Sequence, residues 1–330
     1  MNDFRALVLD LKDEKPKLEV RRLQADELPD GEVTIRVAYS SINYKDAVVA
    51  VKHAYVKSFP LIPGIDLAGT VIVSADGRFR AGDPVIVTSY GLGTSHHGGY
   101  SQIARVPAKW VVPLPKGLTL KEAMILGTAG FTAALSVQRL EDYGLTPEWG
   151  PVLVTGATGG VGSTAVDMLS RKGYDVCAVT GKPESQTYLM RLGAKSVIRR
   201  EELTDAQQKP LRKEQWAAAI DPVGGASLQY VLSSLKYGGA VASSGLAGGA
   251  DVQTTVYPFI LRGISWIGID SVYCPMPLRE KVWSRLGADL KPLRLNEDIV
   301  HEISLEQVPD ALNDILNGSL LGRTVVNMQE

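Results

Sequence analysis

The 330-residue sequence predicts an α/β protein of two domains, and three observations lead to this fold class. Short β-rich runs separated by turn residues fill the first third of the chain. After residue 150, apolar strands alternate with amphipathic helices, as they do in a doubly wound parallel sheet. A glycine-rich turn joins the first of those strands to the helix that follows it. The length also makes two domains the default expectation.

The first domain is expected to be β-rich and barrel-like. Short β-rich runs recur in it, and turn clusters such as Asp76-Gly77 separate them. The runs lie at residues 6–9, 33–37, 70–73, 85–88 and 110–112. A mixed pattern returns from residue 299 onward, and we expect it to complete this domain. The predicted limits are therefore residues 1–124 and 298–330.

The second domain, predicted at residues 125–297, alternates helices with strands, and such βαβ units form a parallel sheet. A helix is expected at residues 121–140, and others at residues 162–169 and 186–192. The strands are expected at residues 152–154, 176–179, 216–220 and 240–243. Between the last two strands, apolar residues recur with the period of one helix face, at Leu228, Val231, Leu232 and Leu235.

Composition excludes several classes of function. The 35 basic and 36 acidic residues give a net charge of −1, so there is no basic surplus to attract nucleic acid or an anionic membrane. Only two cysteines occur, Cys177 and Cys274, which indicates a reducing cytoplasm rather than a disulfide framework. The N terminus does not resemble a signal peptide, and no apolar run of about 18 residues predicts a membrane span.

The glycine-rich turn predicts a dinucleotide site. Residues 156–162 read GATGGVG directly after a predicted strand, and a predicted helix follows. The glycines permit a tight turn, close approach of a pyrophosphate and packing of the helix on the strand, whereas an ordinary strand–helix turn is the alternative. The helix N terminus offers free N–H groups to the anion. The expected binding residues here are Gly156, Thr158, Gly159, Gly160, Val161 and Gly162.

The end of the second predicted strand of this sheet favours NADPH over NADH. Enzymes that use NADH usually carry an acidic residue there, which binds the ribose 2′-hydroxyl. This chain carries Thr180-Gly181-Lys182, with no carboxylate to repel a 2′-phosphate and an amine to attract it. Arg199 and Arg200 follow the third apparent strand and add positive charge. Plain surface charge is the alternative explanation of these cations.

No metal site is expected. A catalytic zinc needs about three protein ligands, and a structural four-cysteine site is impossible with two cysteines. The histidines are His53, His96, His97 and His301, and none of them shows the spacing of metal ligands. The adjacent pair His96-His97 is expected to lie in a solvated loop.

Seven segments resemble one known family. They read SSINYKD at residues 40–46, FPLIPGIDLAG at 59–69, GTAGFTA at 127–133, GATGGVG at 156–162, GLAGG at 245–249, PFILR at 258–262 and GRT at 322–324. On these segments the chain is identified as a member of the medium-chain dehydrogenase/reductase superfamily. Within it, the chain is similar to the YhdH/YhfP group of quinone oxidoreductase-like proteins related to acrylyl-CoA reductase. The resemblance implies a GroES-like substrate domain and a Rossmann domain.

The resemblance also bears on metal and cofactor. Zinc-containing relatives carry Gly-His-Glu where this chain has Gly64-Ile65-Asp66, and a cysteine near Asn43-Tyr44, so both ligand positions are replaced. The cofactor contacts that it implies are Tyr44, Leu246, Ile260 and Ser271 near the nicotinamide, Thr180, Gly181, Lys182 and Arg200 at the adenosine phosphate, and Arg323 from the C-terminal segment.

Reduction without zinc requires a hydrogen-bond donor that polarises the acceptor. Asn43 and Tyr44 are the catalytic candidates, followed by Lys45 and Asp46. The alternatives are that Tyr44 only stacks on the cofactor and that Asp46 only caps a helix. Asp66 is expected to be a buried carboxylate bonded to the loop backbone.

The leading hypothesis for function is NADPH-dependent reduction of acrylyl-CoA or another 2-enoyl-CoA, with hydride transfer to the β carbon. A quinone or unsaturated-ketone reductase is the second, and a cofactor-binding structural or RNA-binding protein is the third. A CoA ester needs basic residues for its phosphates, and Lys52, Lys57 and Arg105 are candidates. A homodimer is expected, paired through the predicted edge strand near residues 265–269.

Overall fold

The computed structural model describes residues 3–12, 15–203, 209–294 and 300–329. It divides into two compact units. The first comprises Met1–Thr128, Val272–Gly287 and Leu295–Glu330, and the second comprises Ala129–Ser271 and Ala288–Arg294.

The elements predicted from the sequence are present, together with several strands and helices that were not predicted. The strands are β1 Phe4–Lys12, β2 Lys15–Leu23, β3 Val33–Ser41, β4 Asp66–Ser74, β5 Pro84–Thr88, β6 Ile103–Val106, β7 Val111–Pro113, β8 Val152–Val154, β9 Val176–Thr180, β10 Ser196–Arg199, β11 Trp216–Asp221, β12 Leu235–Ser243, β13 Ser265–Gly268, β14 Val300–Ile303 and β15 Arg323–Asn327. The helices are α1 Tyr44–Ala50, α2 Leu120–Asp142, α3 Gly160–Arg171, α4 Gln186–Arg191, α5 Gly225–Ser234, α6 Tyr257–Arg262, α7 Met276–Leu286 and α8 Val308–Leu316.

One mixed sheet carries most strands of the first unit. Its order is β14-β15-β3-β4-β5-β7, and β6 pairs with β3. β1 and β2 form a separate hairpin, and the Leu7 amide of β1 donates to the Tyr100 carbonyl at 2.9 Å. Ile35, Leu67 and Val87 lie in the central strands and are fully buried in the core. The sheet therefore supplies the rigid support on which the loops of this unit rest.

The expectation of a barrel-like, all-β first domain is only partly right. The unit is rich in strands, but the described strand pairs leave the sheet open, and helices belong to the unit. α1 and α8 contact each other and place Ala47, Ala50 and Leu312 in the same core as the strands. α1 has only seven residues, which is too short to show a helical period in the sequence.

The second unit is a six-stranded parallel sheet in the order β10-β9-β8-β11-β12-β13. In chain order within the unit this is 3-2-1-4-5-6, the arrangement of a dinucleotide-binding doubly wound fold. The prediction of a doubly wound parallel sheet is therefore confirmed. Leu153, Ala219 and Val241 fill the core at the middle of three neighbouring strands. β13 lies at the edge of the sheet, where the sequence placed it.

The compact units differ from the predicted domains at residues 125–128, which belong to the first unit, and over one longer segment. Residues 125–297 were expected to form one domain, but Val272–Gly287 belongs to the first unit. The fully buried guanidinium of Arg279 explains this, because its Nη1 donates to the carbonyl and hydroxyl oxygens of Thr88 at 3.2 and 2.8 Å. The predicted boundary between residues 297 and 298 lies outside the described residues. The domain limits themselves stay a prediction.

α2 is a long apolar helix with a break. Gly127 has φ 51° and ψ −154°, which interrupts the helix between Leu120 and Asp142. By length and composition α2 could cross a membrane, but 78% of its most apolar 18-residue window is buried inside the protein. Such burial is typical of a core helix. The expectation that the chain has no membrane span stays a prediction.

Candidate active site

The glycine-rich turn of the second unit has the geometry that the sequence predicted. Gly156 has φ +54°, and a Cβ added at Gly162 would lie 2.3 Å from the Gly156 carbonyl oxygen. Glycine is therefore required at both positions. α3 begins at Gly160 with Gly159 as its N-cap, so its first amides have no acceptor within the helix. The turn forms a backbone cradle that fits a pyrophosphate.

The structure brings Gly181 and Arg200 together. Residues Thr180 and Arg199 are paired across β9 and β10, so the ends of both strands meet at one edge of the sheet. A Cβ added at Gly181 would lie 2.8 Å from Cζ of Arg200, which places the guanidinium directly over the glycine backbone. The Thr180 hydroxyl accepts a hydrogen bond from the Lys182 amide at 2.9 Å. A cation beside this turn fits a phosphate on the adenosine ribose.

A second glycine contact in this unit was not predicted from the sequence. The fully buried carboxylate of Asp221 accepts hydrogen bonds from the Thr155 hydroxyl at 2.5 Å and from the Gly224 amide at 2.8 Å. Burial raises the pKa of Asp221, while these two donors act in the opposite direction. Gly224 forms a bridge with Gly249 of the GLAGG segment. Asp221 thus ties the phosphate turn to the loops after β11 and β12, and its place at the end of an apolar strand is the signal that could have identified it.

Three residues predicted beside the nicotinamide also lie in the second unit. Leu246 and Ile260 expose 63% and 68% of their surface, which leaves them accessible to a ligand. Ser271 is almost fully buried. Their contacts with a cofactor stay predictions.

The first unit contains a buried cluster of charged and polar groups. Asp46 and Asp66 are both fully buried, and Asn43 lies between them. The Asn43 amide nitrogen Nδ2 donates to Oδ2 of Asp46 at 3.1 Å and to Oδ2 of Asp66 at 2.8 Å. Asp66 also accepts from the Ser41 hydroxyl at 2.7 Å. Thr128 completes the set, because its amide donates to Oδ2 of Asp66 at 2.8 Å and its hydroxyl donates to Oδ1 at 2.5 Å.

Arg323 supplies the positive charge of this cluster. Only 7% of Arg323 is exposed, its Nε donates to the Ile125 carbonyl at 2.7 Å, and its Nη1 donates to the Ile42 carbonyl at 3.1 Å. Its Nη2 is buried without a hydrogen-bond partner among the described groups and lies beside Gly127, as Asp66 does. These contacts place Arg323 in the core of the first unit and engage its Nε and Nη1 atoms. Nη2 is therefore the one guanidinium nitrogen that remains for the predicted contact with the cofactor. That contact stays a prediction.

Burial shifts the pKa values of Asp46, Tyr100 and Arg323. Burial first, and then the charge of Asp66, raise the pKa of Asp46 to about 7. Burial also raises the pKa of Tyr100 well above its ordinary value, and Asp46 adds to the shift. Burial lowers the pKa of Arg323, whereas both carboxylates oppose that change. The two carboxylates outnumber the one guanidinium, so binding a proton relieves the excess negative charge.

The predicted catalytic residues now separate by role. Asp46 accepts from the Asn43 amide at 2.9 Å and from the Ile65 amide at 2.8 Å, so the interpretation as a helix cap fits it. Asp66 is fully buried, as expected, but the backbone amide that donates to it belongs to Thr128 in α2 and not to a loop. Asn43 has both amide hydrogens directed at carboxylates, so it is poorly placed to polarise a substrate. Tyr44 begins α1 and exposes 44% of its surface, which leaves it available.

Several other predicted features have a definite place. Thr128, Ser41 and Gly127 were not predicted as site residues, although two of the quoted family segments contain them. What these residues share is their proximity to the buried carboxylate of Asp66. Only the fold brings the two segments to this carboxylate. His97 is half-buried and its Nδ1 accepts from the Ile62 amide at 3.4 Å, so the expected loop is only partly solvated at this residue. No group of three or more potential metal ligands occurs among residues 3–12, 15–203, 209–294 and 300–329.

Comparison with known proteins agrees with this architecture. The family model for the alcohol dehydrogenase GroES-like domain matches residues 29–116, and the model for zinc-binding dehydrogenase matches residues 160–286. The fold and the two matches define an oxidoreductase with a GroES-like N-terminal domain and a Rossmann domain.

Individual relatives narrow the assignment. The chain is 54% identical over 326 residues to “Putative quinone oxidoreductase YhfP” of Bacillus subtilis, covering 98% of this chain and 99% of the relative. It is 48% identical over 328 residues to “Acrylyl-CoA reductase AcuI” of Ruegeria pomeroyi, with coverage of 98% and 99%. The chain therefore belongs to the medium-chain dehydrogenase/reductase superfamily, in the group that contains YhfP and AcuI.

Two solved structures share the fold almost completely. The Bacillus subtilis yhfP structure with NAD bound has a TM-score of 0.96 at 54% identity and covers 99% of this chain and 100% of its own. The Salmonella enterica yhdH oxidoreductase in complex with NADP has a TM-score of 0.95 at 47% identity, with coverage of 98% and 99%.

Proposed function

We propose that this oxidoreductase uses NADPH to reduce an activated carbon–carbon double bond, with acrylyl-CoA or another short 2-enoyl-CoA as substrate. The observation that carries the proposal is the buried cluster around Asp66. Zinc-containing relatives have a cysteine ligand near Asn43-Tyr44 and Gly-His-Glu at Gly64-Ile65-Asp66, and in this chain Asn43 is already bonded to two carboxylates. These residues do not fit a catalytic zinc, whose ligands must be free to coordinate it. AcuI, a named acrylyl-CoA reductase, supports the choice of substrate.

The proposal of NADPH rests on the second unit. The backbone turn at Gly156–Gly162 would hold the pyrophosphate, and the guanidinium of Arg200 over Gly181 would hold the 2′-phosphate. Solved structures of relatives contain NADP in one case and NAD in another. Our choice of NADPH therefore rests on the guanidinium of Arg200 beside Gly181. When it is bound, the nicotinamide supplies the hydride that goes to the β carbon.

The protein's part is to orient the substrate and to stabilise the negative charge that develops on the thioester oxygen. Tyr44 is the proposed donor to that oxygen, because Asn43 and Asp46 are engaged with each other. Arg105 is removed from the candidates for binding CoA phosphates, since its guanidinium donates to the Ala25 and Leu28 carbonyls. Lys52 and Lys57 are exposed and keep that proposed role.

A quinone or unsaturated ketone is the second candidate substrate, because the relative at 54% identity carries a quinone oxidoreductase name. The test is oxidation of NADPH with acrylyl-CoA, with a simple quinone and with no acceptor, each repeated with NADH. We expect acrylyl-CoA with NADPH to give the highest kcat/KM. Turnover of the quinone without any turnover of acrylyl-CoA at millimolar concentration would support the second candidate. Tight binding of NADPH with neither acceptor reduced would support a structural role.

We further propose that the chain forms a homodimer and works in the cytoplasm. The free edge of β13 supports the first point, and the low cysteine content supports the second. No nucleic-acid or membrane partner is proposed, because the net charge is close to zero.

A further inference from the structure

The cofactor site of the second unit depends on how the turns after neighbouring strands are held together, so the following inference deepens the proposed function and rests on it. We propose that Asp221 is a positioning residue for the dinucleotide. Its buried carboxylate holds the phosphate turn after β8 and the glycine turn after β11 in one arrangement, and binding of the whole cofactor requires that arrangement.

Asp221 lies at the switch point of the parallel sheet. β8, β9 and β10 follow one another outward on one side of this point, and β11, β12 and β13 do so on the other. These are the two mononucleotide-binding halves of the fold, and a dinucleotide binds across the crevice at the carboxyl ends of the strands where they meet. Asp221 is the last residue of β11, and Thr155 follows the last residue of β8. Both residues therefore stand where that crevice opens.

The two carboxylate oxygens of Asp221 connect the two halves. Oδ1 accepts from the Thr155 hydroxyl at 2.5 Å, and Oδ2 accepts from the Gly224 amide at 2.8 Å. The backbone hydrogen bonds between the strands reach as far as the Thr155 amide, which donates to the Ile220 carbonyl at 3.1 Å. Beyond this point the carboxylate joins the turn of one half to the turn of the other. These two side-chain hydrogen bonds form the Asp221 clamp.

The turn after β11 needs an outside contact to hold one conformation. Gly224 has φ +72° and Gly225 has φ +53°, and glycine has more backbone freedom than any other residue. The clamp holds the Gly224 amide, and Gly224 also forms a bridge with Gly249 in the turn after β12. Asp221 therefore fixes the turns after both β11 and β12 relative to the phosphate turn.

Stability alone does not explain a carboxylate at this position. Asp221 is fully buried, burial raises its pKa, and no cation pairs with it in the part of the chain that the structure describes. Burial of an unpaired charge costs free energy. A carboxylate nevertheless has two acceptor oxygens, so it can bind a donor of each half at the same time. This joint contact offsets the cost of burial.

The clamp should matter for ligands that span both halves. The fragment 2′,5′-ADP, which is the adenosine end of NADPH, reaches only the phosphate turn and the half that begins with β8. NADPH spans both halves, so only the fraction of the protein with both turns in place binds it. Loss of the clamp reduces that fraction. The Kd for NADPH should therefore rise, while the Kd for 2′,5′-ADP should not change.

The test uses Thr155→Val, which removes the hydroxyl with little change of shape, and Asp221→Ala, which removes both contacts. Asp221→Asn is the rescue variant, because its amide can donate to the Thr155 oxygen while its carbonyl accepts from the Gly224 amide. Ser136→Ala is the matched control. It removes a fully buried hydroxyl of the same unit whose hydrogen bond, 2.8 Å to the Thr132 carbonyl, stays within α2.

Calorimetric titration gives the Kd of each protein for NADPH and for 2′,5′-ADP, and urea unfolding shows that each protein is folded. We expect Thr155→Val and Asp221→Ala to raise the Kd for NADPH roughly tenfold or more, the scale of a hydrogen bond to a charged group, and to keep that for 2′,5′-ADP within about twofold. Asp221→Asn and Ser136→Ala should bind both ligands within about threefold of wild type.

Thr155→Val decides the outcome even where Asp221→Ala does not fold. Equal rises of the Kd for both ligands in Thr155→Val would overturn the proposal, because the contact would then support only the phosphate turn. An unchanged Kd for NADPH in this variant would overturn it as well.

Arg200→Ala distinguishes a failure of the proposed function from a failure of the clamp. Both ligands carry the 2′-phosphate, so this variant should raise both Kd values by the same factor. No change for either ligand would refute the phosphate position proposed at Arg200, while Thr155→Val would still decide on the clamp. A wild-type protein that binds 2′,5′-ADP but not NADPH would refute both.

Discussion

At the scale of single residues, Gly181 determines where a cation can lie. The guanidinium of Arg200 occupies the space that a side chain at position 181 would need, 2.8 Å from an added Cβ. The guanidinium is the end of a flexible side chain, so Gly181→Ala would displace it at little cost to folding. A displaced cation can no longer form a charge-assisted hydrogen bond with a 2′-phosphate.

We therefore predict that Gly181→Ala weakens binding of NADPH by about 1–2 kcal/mol, roughly a 5- to 30-fold rise in Kd, and leaves the Kd for NADH nearly unchanged. Fluorescence titration measures both constants. Arg200→Ala is the matched variant, and adding it to Gly181→Ala should cause little further loss, because both changes remove the same contact. Equal losses for NADH and NADPH would contradict the assignment of the phosphate.

A second prediction at the scale of single residues concerns Asp46 and the pH dependence of the free energy of unfolding. Its folded pKa of about 7 lies above the unfolded value of about 3.9, so the folded protein binds more protons between these values. The free energy of unfolding should therefore fall at this site as the pH rises from about 4 to about 7, by at most about 1.4 kcal/mol per pH unit. Urea unfolding of wild type and Asp46→Asn over this range isolates the effect. A difference between the two proteins that does not change with pH would refute the assignment.

Residue roles were harder to predict from the sequence than residue positions. The GATGGVG turn could be assigned because the physical requirement for each glycine is local. The roles of Asn43, Thr128 and Arg323 could not, because Asp66 joins segments that lie far apart in the sequence. The sequence pattern of one segment does not show which distant segments it contacts in the folded protein.

At the scale of elements, the break in α2 connects the helix to the buried cluster. Gly127 has φ +51°, and a Cβ there would lie 2.5 Å from Oδ2 of Asp66 and 2.6 Å from Oγ of Ser41. The break lets the next residue, Thr128, direct its amide at Asp66. The sequence predicted one helix at residues 121–140 because alanine-rich apolar sequence favours helix on both sides of the glycine.

Gly127→Ala is expected to destabilise the protein by about 3 kcal/mol or more, since it combines backbone strain with crowding in a packed interior. Gly82→Ala is the control, because Gly82 has φ +95° and no atom lies within 4 Å of its added Cβ. That variant should cost only about 1–2 kcal/mol, from strain alone. Guanidinium unfolding of both variants gives the comparison. Equal losses would show that the crowding at Gly127 is unimportant.

Most element limits could be predicted to within a few residues, and the misses have local causes. Leu235 was assigned to the helix face of Leu228, but α5 ends at Ser234 and Leu235 begins β12. Trp110 was placed in a strand, but it ends a short 3₁₀ turn before β7. Leu235 and Trp110 are apolar residues that fit the hydrophobic pattern of either type of element. Hydrophobic periodicity therefore could not decide to which element each belongs.

At the scale of the whole molecule, the prediction concerns the homodimer, which we expect to form along β13. It is an edge strand, and the Ile269 amide donates inward to Ser243, so the Gly268 amide points to the free edge. Pairing of two copies along this edge predicts a particle of twice the 35.5 kDa chain mass. Gly268→Pro removes the outward donor and should yield monomers, whereas Gly268→Ala should not, because no atom lies within 4 Å of its added Cβ. Sedimentation equilibrium distinguishes these outcomes, and a monomeric wild-type protein would refute the dimer.

The sequence predicted the fold class of the protein more reliably than the division of the chain into compact units. The order of strands in the second unit was implied by alternating strands and helices, because right-handed crossovers leave few topologies. The return of Val272–Gly287 to the first unit was not implied, since it depends on Arg279 meeting Thr88 across 191 positions of sequence.

The central claim is that this protein reduces the double bond of a CoA thioester with hydride from NADPH. The most direct test is the fate of a label on the transferred hydrogen. The metal-depleted protein is incubated with acrylyl-CoA and NADPH that carries deuterium at C4 of the nicotinamide. We predict propionyl-CoA with one deuterium at the β carbon and none at the α carbon. Recovery of unreduced acrylyl-CoA, from protein that binds NADPH and reduces a quinone, would contradict the claim.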